Sequence, residues 1–242
     1  MQHGAKFIVT PGFNPEIVEY CIQKKIDILP GCMTPSDIDK AVALGLEAVK
    51  IFPAEPIGGV KILKAISGPY GKMKYVPTGG VNVENLNSYL DFNKVIACGG
   101  SWMVPKDIIK EKRFDEIVNI TKESIKLMLD FKVKHIGINT KDESGADTVA
   151  TAFGDLFGFE KKVGNSSIFV SEQIEVLKAA GLGANGHIAI ETRDIQRAIY
   201  YLEKQGYTFN QESTKYDKNN NMAAIYLKDE IGGFAVHLMQ KK

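Results

Sequence analysis

A single lysine lies within an otherwise apolar stretch, Ala48-Val49-Lys50-Ile51-Phe52-Pro53. The composition predicts a buried strand, on which alternate residues share a face. A charged amine is costly to bury, so burial drives a lysine towards its neutral, nucleophilic form. Such an amine forms a Schiff base with a carbonyl substrate. Lys50 is therefore a candidate nucleophile. The competing interpretation is a half-exposed strand whose lysine keeps its charge in water.

Two turns combine a hydroxyl with two glycines, Thr78-Gly79-Gly80 and Gly99-Gly100-Ser101. Bare glycines let backbone N–H groups approach an anion closely, and a following helix N-terminus adds a favourable dipole. A pair of such turns after the last two strands of a β/α barrel is a usual phosphate site. We therefore predict that all six residues bind an anion. The alternative is that the diglycines only make tight turns.

The first half of the chain alternates short strands and helices. Strands are predicted at residues 5–10, 27–29, 48–52, 74–77 and 95–98. Helices are predicted at residues 15–25, 34–45, 58–66, 82–90 and 114–130. This order, with short connections, predicts a parallel sheet with helices outside it. The five strand–helix units place their turns at the carboxyl ends of the strands, where α/β folds bind ligands.

Three segments resemble the class I aldolases that cleave 2-keto-3-deoxy-6-phosphogluconate and 4-hydroxy-2-oxoglutarate. They are Lys50-Ile51-Phe52-Pro53-Ala54-Glu55, Pro77-Thr78-Gly79-Gly80 and Gly99-Gly100-Ser101-Trp102. The resemblance covers about residues 4–130. It implies a (β/α)8 barrel, usually trimeric, that needs no cofactor. It also implies that Lys50 forms the imine with pyruvate or the keto-acid substrate. Thr78, Gly79, Gly80 and Ser101 would hold the phosphate, or the second carboxylate of the smaller substrate.

The same resemblance implies eight strand–helix units, of which we count only the last five. In the family, the earlier units carry a glutamate that shuttles protons and an arginine that binds the substrate carboxylate. No residue here is assigned those roles, and Glu55 does not stand at the position of the general base. We expect a fragment, a split gene or a truncated gene model, or else a partner that supplies the missing units. Activity of this chain alone stays open.

The second half contains an internal repeat. The segment His135-Ile136-Gly137-Ile138-Asn139-Thr140-Lys141-Asp142 matches His187-Ile188-Ala189-Ile190-Glu191-Thr192-Arg193-Asp194. Each is predicted to be a strand that begins with histidine and is followed by a helix. Further extended stretches are predicted at residues 167–170, 174–177, 222–227 and 234–239. This pattern predicts an α+β domain of two βαβββ modules at residues 132–242, after an aldolase segment at residues 1–131.

The repeated half resembles the vicinal oxygen chelate superfamily, which includes glyoxalases and extradiol dioxygenases. The resemblance covers about residues 134–240 and implies metal ligands at His135, Glu175, His187 and His237. The family usually has glutamate where His237 stands. Imidazole with carboxylate suits Zn, Fe, Mn or Ni. The alternative is that His135 and His187 are only strand-start residues kept by the repeat and that His237 packs against the sheet. The domain would then be a binding or oligomerisation module.

Composition limits the partners. The net charge is +1 over 242 residues, so there is no general electrostatic case for nucleic acid or an anionic membrane. No apolar run approaches the roughly 20 residues of a membrane helix, and no signal peptide is recognisable. Three cysteines without a Cys-x-x-Cys pair indicate reduced thiols. We expect a cytoplasmic homo-oligomer, a trimer by the aldolase resemblance, that binds a small keto acid.

Three functions follow from these patterns. The first is a Schiff-base aldolase fused to a vicinal oxygen chelate domain. The second is a metabolite-binding or regulatory protein whose barrel remnant does not catalyse. The third is a lyase or dioxygenase in which the second domain works with a bound divalent metal. Trapping of pyruvate on Lys50 separates the first from the others, and metal analysis with His187→Ala separates the last two.

Overall fold

The computed structural model describes residues 4–241, and the chain divides into two compact units, Met1–Met128 and Leu129–Lys242. The division falls between residues 128 and 129, whereas the predicted boundary lies between 131 and 132. Residues 1–3 and 242, which the predicted domains include, lie outside the described residues. Within residues 4–241, no helix is both long and apolar enough to cross a lipid bilayer.

Unit 1 alternates short strands with helices. In chain order these are β1 (Ile8–Val9), α1 (Pro15–Gln23), β2 (Ile28–Leu29), β3 (Gly31–Cys32), α2 (Pro35–Ala43), β4 (Ala48–Ile51), α3 (Gly59–Ile66), β5 (Lys74–Pro77), α4 (Leu86–Leu90), α5 (Lys106–Lys110) and α6 (Phe114–Leu129). Strand β1 pairs with β2, and β3, β4 and β5 form a three-stranded sheet. All three pairings are parallel, as the alternation of strands and helices predicts.

The core of unit 1 forms where apolar strand residues meet the helices. Val49 and Ile51 of β4 are buried, whereas Ala48 and Lys50 are only partly so. This alternation matches the two faces of a strand. Val49 and Ile51 belong to a buried cluster that includes Ile38 of α2 and Leu63 of α3. The lysine therefore lies on the face of β4 opposite the main core.

The structure of unit 1 differs from the prediction in several details. The strand predicted at residues 95–98 is absent, and only isolated bridges join Tyr75 to Val95 and Thr78 to Gly99. This segment hydrogen-bonds to β5 near its two ends, and no strand within residues 4–241 pairs with its other side. A continuous ladder therefore does not form. No strand was predicted directly after residues 27–29, where the structure has β3, and no helix was predicted where the structure has α5.

Unit 2 is one mixed sheet with two helices. Its elements are β6 (Lys132–Ile138), α7 (Glu143–Phe157), β7 (Lys162–Val163), β8 (Ser167–Phe169), β9 (Ile174–Leu177), β10 (Gly186–Thr192), α8 (Ile195–Glu203), β11 (Phe209–Tyr216), β12 (Met222–Leu227) and β13 (Phe234–Gln240). The strand order is β11-β12-β13-β10-β6-β9-β8-β7. The sheet thus holds eight strands in two sets of four.

The two sets are copies of one βαβββ module. The first strands of the modules, β6 and β10, pair antiparallel at the centre of the sheet. Each also pairs in parallel with the last strand of its own module, β6 with β9 and β10 with β13. The predicted pair of modules is therefore confirmed. One detail is wrong, because β6 begins at Lys132 and His135 lies inside the strand.

Helix α2 provides a test of local stability. Thr34 caps it in a capping box: the Asp37 N–H donates to Thr34 Oγ1 at 3.3 Å, and the Thr34 N–H donates to Asp37 Oδ2 at 3.1 Å. We expect Thr34→Ala to lower the stability of unit 1 by about 1 kcal/mol. Denaturation followed by the fluorescence of Trp102, the single tryptophan, measures this change. Ser36→Ala, at an exposed hydroxyl in the same turn, is the control, and an equal loss there would contradict the capping role.

Candidate functional sites

Lys50 lies in the middle strand of the three-stranded sheet. It is paired with Gly31 of β3 on one side and Val76 of β5 on the other, and its N–H donates to the Pro30 carbonyl at 3.0 Å. Its Nζ lies 4.4 Å from the centroid of the Phe52 ring, which is two residues along the same face. The structure thus places a partly buried lysine amine against an aromatic ring near the carboxyl end of β4.

The turn after β5 is joined by backbone bonds to the loop after β4. The Thr78 N–H donates to the Ile51 carbonyl at 2.9 Å, and the N–H groups of Ala54 and Glu55 donate to the carbonyls of Thr78 and Gly79 at 2.8 and 3.0 Å. The first predicted anion-binding turn, Thr78-Gly79-Gly80, is therefore held beside the carboxyl end of β4.

The second predicted turn lies against the first. The Gly99 N–H donates to the Pro77 carbonyl at 2.9 Å, and a Cβ on Gly99 would lie 2.7 Å from Thr78 Oγ1. Gly100 packs against the Trp102 ring, and Ser101 is exposed. The structure therefore brings both turns to the edge of the sheet where β4 and β5 end. Close packing accounts for Gly99 and Gly100 without an anion, so their binding role stays a prediction.

Glu55, which the sequence leaves without a role, is held beside the first turn. The Tyr89 hydroxyl donates to Glu55 Oε1. Burial and this hydrogen bond raise the pKa of Tyr89. Gly80 has a φ of +84°, and a Cβ there would lie 2.5 Å from Glu55 Cβ. Only a glycine at position 80 therefore leaves room for the Glu55 side chain.

This packing predicts that Gly80→Ala destabilises unit 1. The left-handed φ costs an alanine about 1–2 kcal/mol, and the contact with Glu55 adds to that cost. Urea denaturation followed by Trp102 fluorescence measures the change. Gly71→Ala, where an added Cβ meets nothing within 4 Å, is the matched control. Equal stability of the two variants would show that the turn adapts freely.

In unit 2, strand register gathers the four predicted metal ligands. Gly137 of β6 lies opposite His187 on β10 and opposite Glu175 on β9. Ala189 of β10 lies opposite His135 on β6 and opposite His237 on β13. Residues directly opposite in a ladder share a face, as do residues two apart on one strand. All four side chains therefore project from the same face of the sheet's centre.

The donor atoms are close together. His135 Nε2 and His187 Nε2 are 3.0 Å apart, and Glu175 Oε2 lies 3.3 Å from each of them. A ligand atom from each of the three histidines lies within 4.8 Å of the other two. The three histidines are each at most 9 % exposed. The sequence prediction thus named four side chains that the structure brings into one buried cluster.

The protonation states leave lone pairs available. Burial lowers the pKa of His135, and it lowers the pKa of His237 to about 3. The hydrogen bond from His187, with one from Ser167, outweighs burial and lowers the pKa of Glu175 to about 2. At neutral pH the cluster therefore contains neutral imidazoles at His135 and His237 and an ionised carboxylate.

The residues fit a divalent metal ion. Two ligands with bonds of about 2.1 Å lie about 3.0 Å apart at a right angle and about 3.4 Å apart at a tetrahedral angle. The three distances among His135, His187 and Glu175 are 3.0, 3.3 and 3.3 Å. Both ring nitrogens of His237 are buried without a hydrogen-bond partner. Such polar atoms are costly to bury, and a metal would satisfy one of them.

The glycine that makes room for this cluster, Gly137, was not among the predicted site residues. A Cβ on Gly137 would lie 2.1 Å from Cε1 of the His187 ring. The His187 ring therefore occupies the space where any other residue at position 137 would place its side chain. A glycine at the centre of a predicted strand, where it weakens the strand, was the signal for such a close approach.

We therefore expect Gly137→Ala to move the His187 ring and separate it from His135. NMR spectra of the ring nitrogens would show new signals for both histidines. Gly145→Ala in α7 is the control, because its added Cβ would make contacts of 3.5 Å or longer. Unchanged histidine spectra in Gly137→Ala would contradict the packing of the cluster.

Comparison with known proteins gives the class of the first unit. Residues 1–120 match the family model described as KDPG and KHG aldolase. This segment has an α/β fold, with short parallel strands, helices and a lysine at the end of a strand. The N-terminal half of the chain is therefore a domain of KDPG/KHG aldolase type.

Particular relatives cover the same half. The 2-dehydro-3-deoxy-phosphogluconate aldolase of Haemophilus influenzae is 45% identical over 125 residues, 52% of this chain and 59% of that protein. The enzyme of that name from Treponema pallidum is 38% identical over 125 residues, 52% of this chain and 60% of its own length. A crystal structure of KDPG aldolase from Legionella pneumophila contains pyruvate captured as a covalent carbinolamine. That chain is 34% identical, with a TM-score of 0.49, and the match covers 51% of this chain and 60% of that one. The chain thus spans about 60% of the length of these relatives, and the vicinal oxygen chelate resemblance of unit 2 stays a prediction.

Proposed function

We propose that unit 1 is the imine-forming part of a Schiff-base aldolase. The observation that carries this proposal is the position of Lys50 near the carboxyl end of β4. Both glycine turns lie at this edge of the sheet. The segment is 45% identical to a named aldolase. The substrate is 2-keto-3-deoxy-6-phosphogluconate, cleaved to pyruvate and glyceraldehyde 3-phosphate. The smaller candidate is 4-hydroxy-2-oxoglutarate, cleaved to pyruvate and glyoxylate.

The chemistry follows from the amine of Lys50. The neutral amine attacks the C2 ketone of the substrate, and loss of water gives an iminium ion. The cation draws electrons from the C3–C4 bond, which breaks as a base removes the proton of the C4 hydroxyl. The aldehyde leaves, and the remaining enamine is protonated and hydrolysed to pyruvate and free lysine. We assign the base to none of the described residues.

The two turns supply binding that is remote from the bond that breaks. Their N–H groups and the hydroxyls of Thr78 and Ser101 hold the phosphate, or the second carboxylate of the smaller substrate. This contact orients the C2 carbonyl towards Lys50 and lowers the entropy cost of reaction. The proposed partner is thus a small keto acid. By the aldolase resemblance, the proposed assembly is a homotrimer in the cytoplasm.

Reductive trapping tests this proposal. Pyruvate and borohydride are added to the full chain, and digestion with mass spectrometry locates the reduced adduct. We expect one adduct on Lys50, because an imine forms there. Lys50→Arg should carry none, and Lys74→Arg, at the exposed end of β5, should carry the adduct as the wild type does. Adducts spread over exposed lysines, or none at all, would exclude an imine-forming site.

A second function is supported by the cluster in unit 2. We propose that His135, Glu175, His187 and His237 hold a divalent metal ion. The observation behind this proposal is the tight triangle of His135, His187 and Glu175 atoms, with the unpartnered His237 ring beside it. When Glu175 is ionised, the lone pairs of the His135, His187 and Glu175 atoms repel one another unless a proton or a metal cation lies between them. A bound metal ion would polarise an oxygen of a substrate.

Metal titration of the full chain tests the cluster. After chelator treatment and dialysis, we expect one equivalent of Zn²⁺ or Co²⁺ to bind, and less tightly as the pH falls, because imidazoles must be neutral to coordinate. His187→Ala and Glu175→Gln should each weaken binding at least about tenfold. Glu172→Gln, an exposed glutamate three residues from Glu175, is the matched control. Tight binding that survives both ligand variants would place the metal elsewhere.

A further inference from the structure

His237 differs from the other three residues of the cluster. Atoms of His135, His187 and Glu175 contact one another at 3.0–3.3 Å, whereas both nitrogens of His237 are buried without a hydrogen-bond partner. The His237 ring centroid nonetheless lies 5.7 Å from that of His135 and 5.2 Å from that of His187. His237 therefore lies next to a preformed triangle of donors without bonding to it.

The packing around His237 holds the ring in place. Tyr226 of the neighbouring β12 stacks on it, with centroids 4.6 Å apart and the planes inclined by 15°. On the other side, β13 pairs with β10, where the fully buried Ala189 lies opposite His237. The residue is only 7 % exposed. A ring confined in this way presents a fixed donor to the space beside the triangle.

An apolar ring would be the cheaper occupant of this position. An unsatisfied polar atom destabilises the fold when it is buried, whereas a phenylalanine would fill similar space with no polar atom. Contact with a cation removes this cost for one nitrogen of His237. The His237 ring lacks a hydrogen-bond partner, and the atoms of His135, His187 and Glu175 form a triangle of donors. Each of these two observations indicates a bound cation.

The charge of the cluster follows from its composition. Glu175 supplies a single negative charge, and the other three donors are imidazoles. Two further charged groups act on the cluster, Lys134 on His135 and Lys215 on His237, and both are positive. Hard ions such as Mg²⁺ and Ca²⁺ favour sites with several oxygen ligands, whereas imidazole suits Zn²⁺, Fe²⁺ and Ni²⁺. One carboxylate among three imidazoles therefore disfavours the hard ions.

We propose that His237 strengthens the preference of this site for a late transition ion such as Zn²⁺ over Mn²⁺ and Mg²⁺. This inference rests on the proposed metal site. A carboxylate at position 237 would add a hard oxygen donor and a second negative charge. Both changes favour Mn²⁺ relative to Zn²⁺.

The test compares wild type, His237→Glu and His237→Gln in competition titrations of the full chain with Zn²⁺ and Mn²⁺. Any site of this kind prefers Zn²⁺, so the informative quantity is the ratio of the two affinities. We expect this ratio to fall at least tenfold in His237→Glu. In His237→Gln, which lacks both the imidazole and the added charge, Zn²⁺ affinity should fall at least tenfold. Near-ultraviolet circular dichroism checks that each variant is folded, and His237→Gln tests the inference if His237→Glu does not fold.

The outcomes separate the two levels of the proposal. If the wild type binds neither ion while folded, both the site and the role of His237 are wrong. If the wild type binds Zn²⁺ but His237→Glu leaves the affinity ratio unchanged, or His237→Gln keeps wild-type Zn²⁺ affinity, the site stands on its other three residues. The role of His237 is then wrong. The absorption spectrum of bound Co²⁺ gives an independent reading, because it should change in both variants.

Discussion

Strand pairing in register is the interaction on which both candidate sites depend. In unit 1, β4 pairs with β5 so that Lys50 lies opposite Val76, and the bridge from Thr78 to Gly99 brings the two turns together. A slip of one residue in either pairing would change which side chains lie at this edge, because it moves side chains to the other face of the sheet. The backbone ladder thus determines which side chains share the site.

In unit 2 the same constraint acts at the centre of the sheet. Two rows of paired residues cross the central strands, one through Gly137 and one through Ala189. The four donors lie in these rows, and the small residues between them leave room for their rings. Each module contributes two donors, so the cluster exists only when the two copies pair. The repeat therefore accounts for the site as well as for the fold.

Local patterns in the sequence were sufficient for much of this arrangement. Apolar residues around Lys50 predicted its strand, and Thr34-Pro35 predicted the start of α2. The repeated histidine segments predicted the two modules because matching sequence folds into matching units. These features depend on neighbours in the chain, which is why the sequence reveals them.

Features that depend on distant partners were not predictable in the same way. The segment at residues 95–98 has the composition of a strand, but a ladder also needs partners along its length. The role of Gly137 depends on the His187 ring, which is fifty positions away in the chain. The contact of Tyr89 with Glu55 likewise joins two elements through tertiary packing alone. Composition cannot specify such contacts until the fold is known.

The function proposed for unit 1 requires that the amine of Lys50 forms an imine with a keto acid. Carbon NMR of the wild-type chain with pyruvate labelled at C2 tests this claim without a reductant. We expect a protein-bound signal for the imine or its carbinolamine in the wild type, and its loss in Lys50→Arg. Signals of free pyruvate alone in the wild type, or a bound signal that persists in Lys50→Arg, would contradict it.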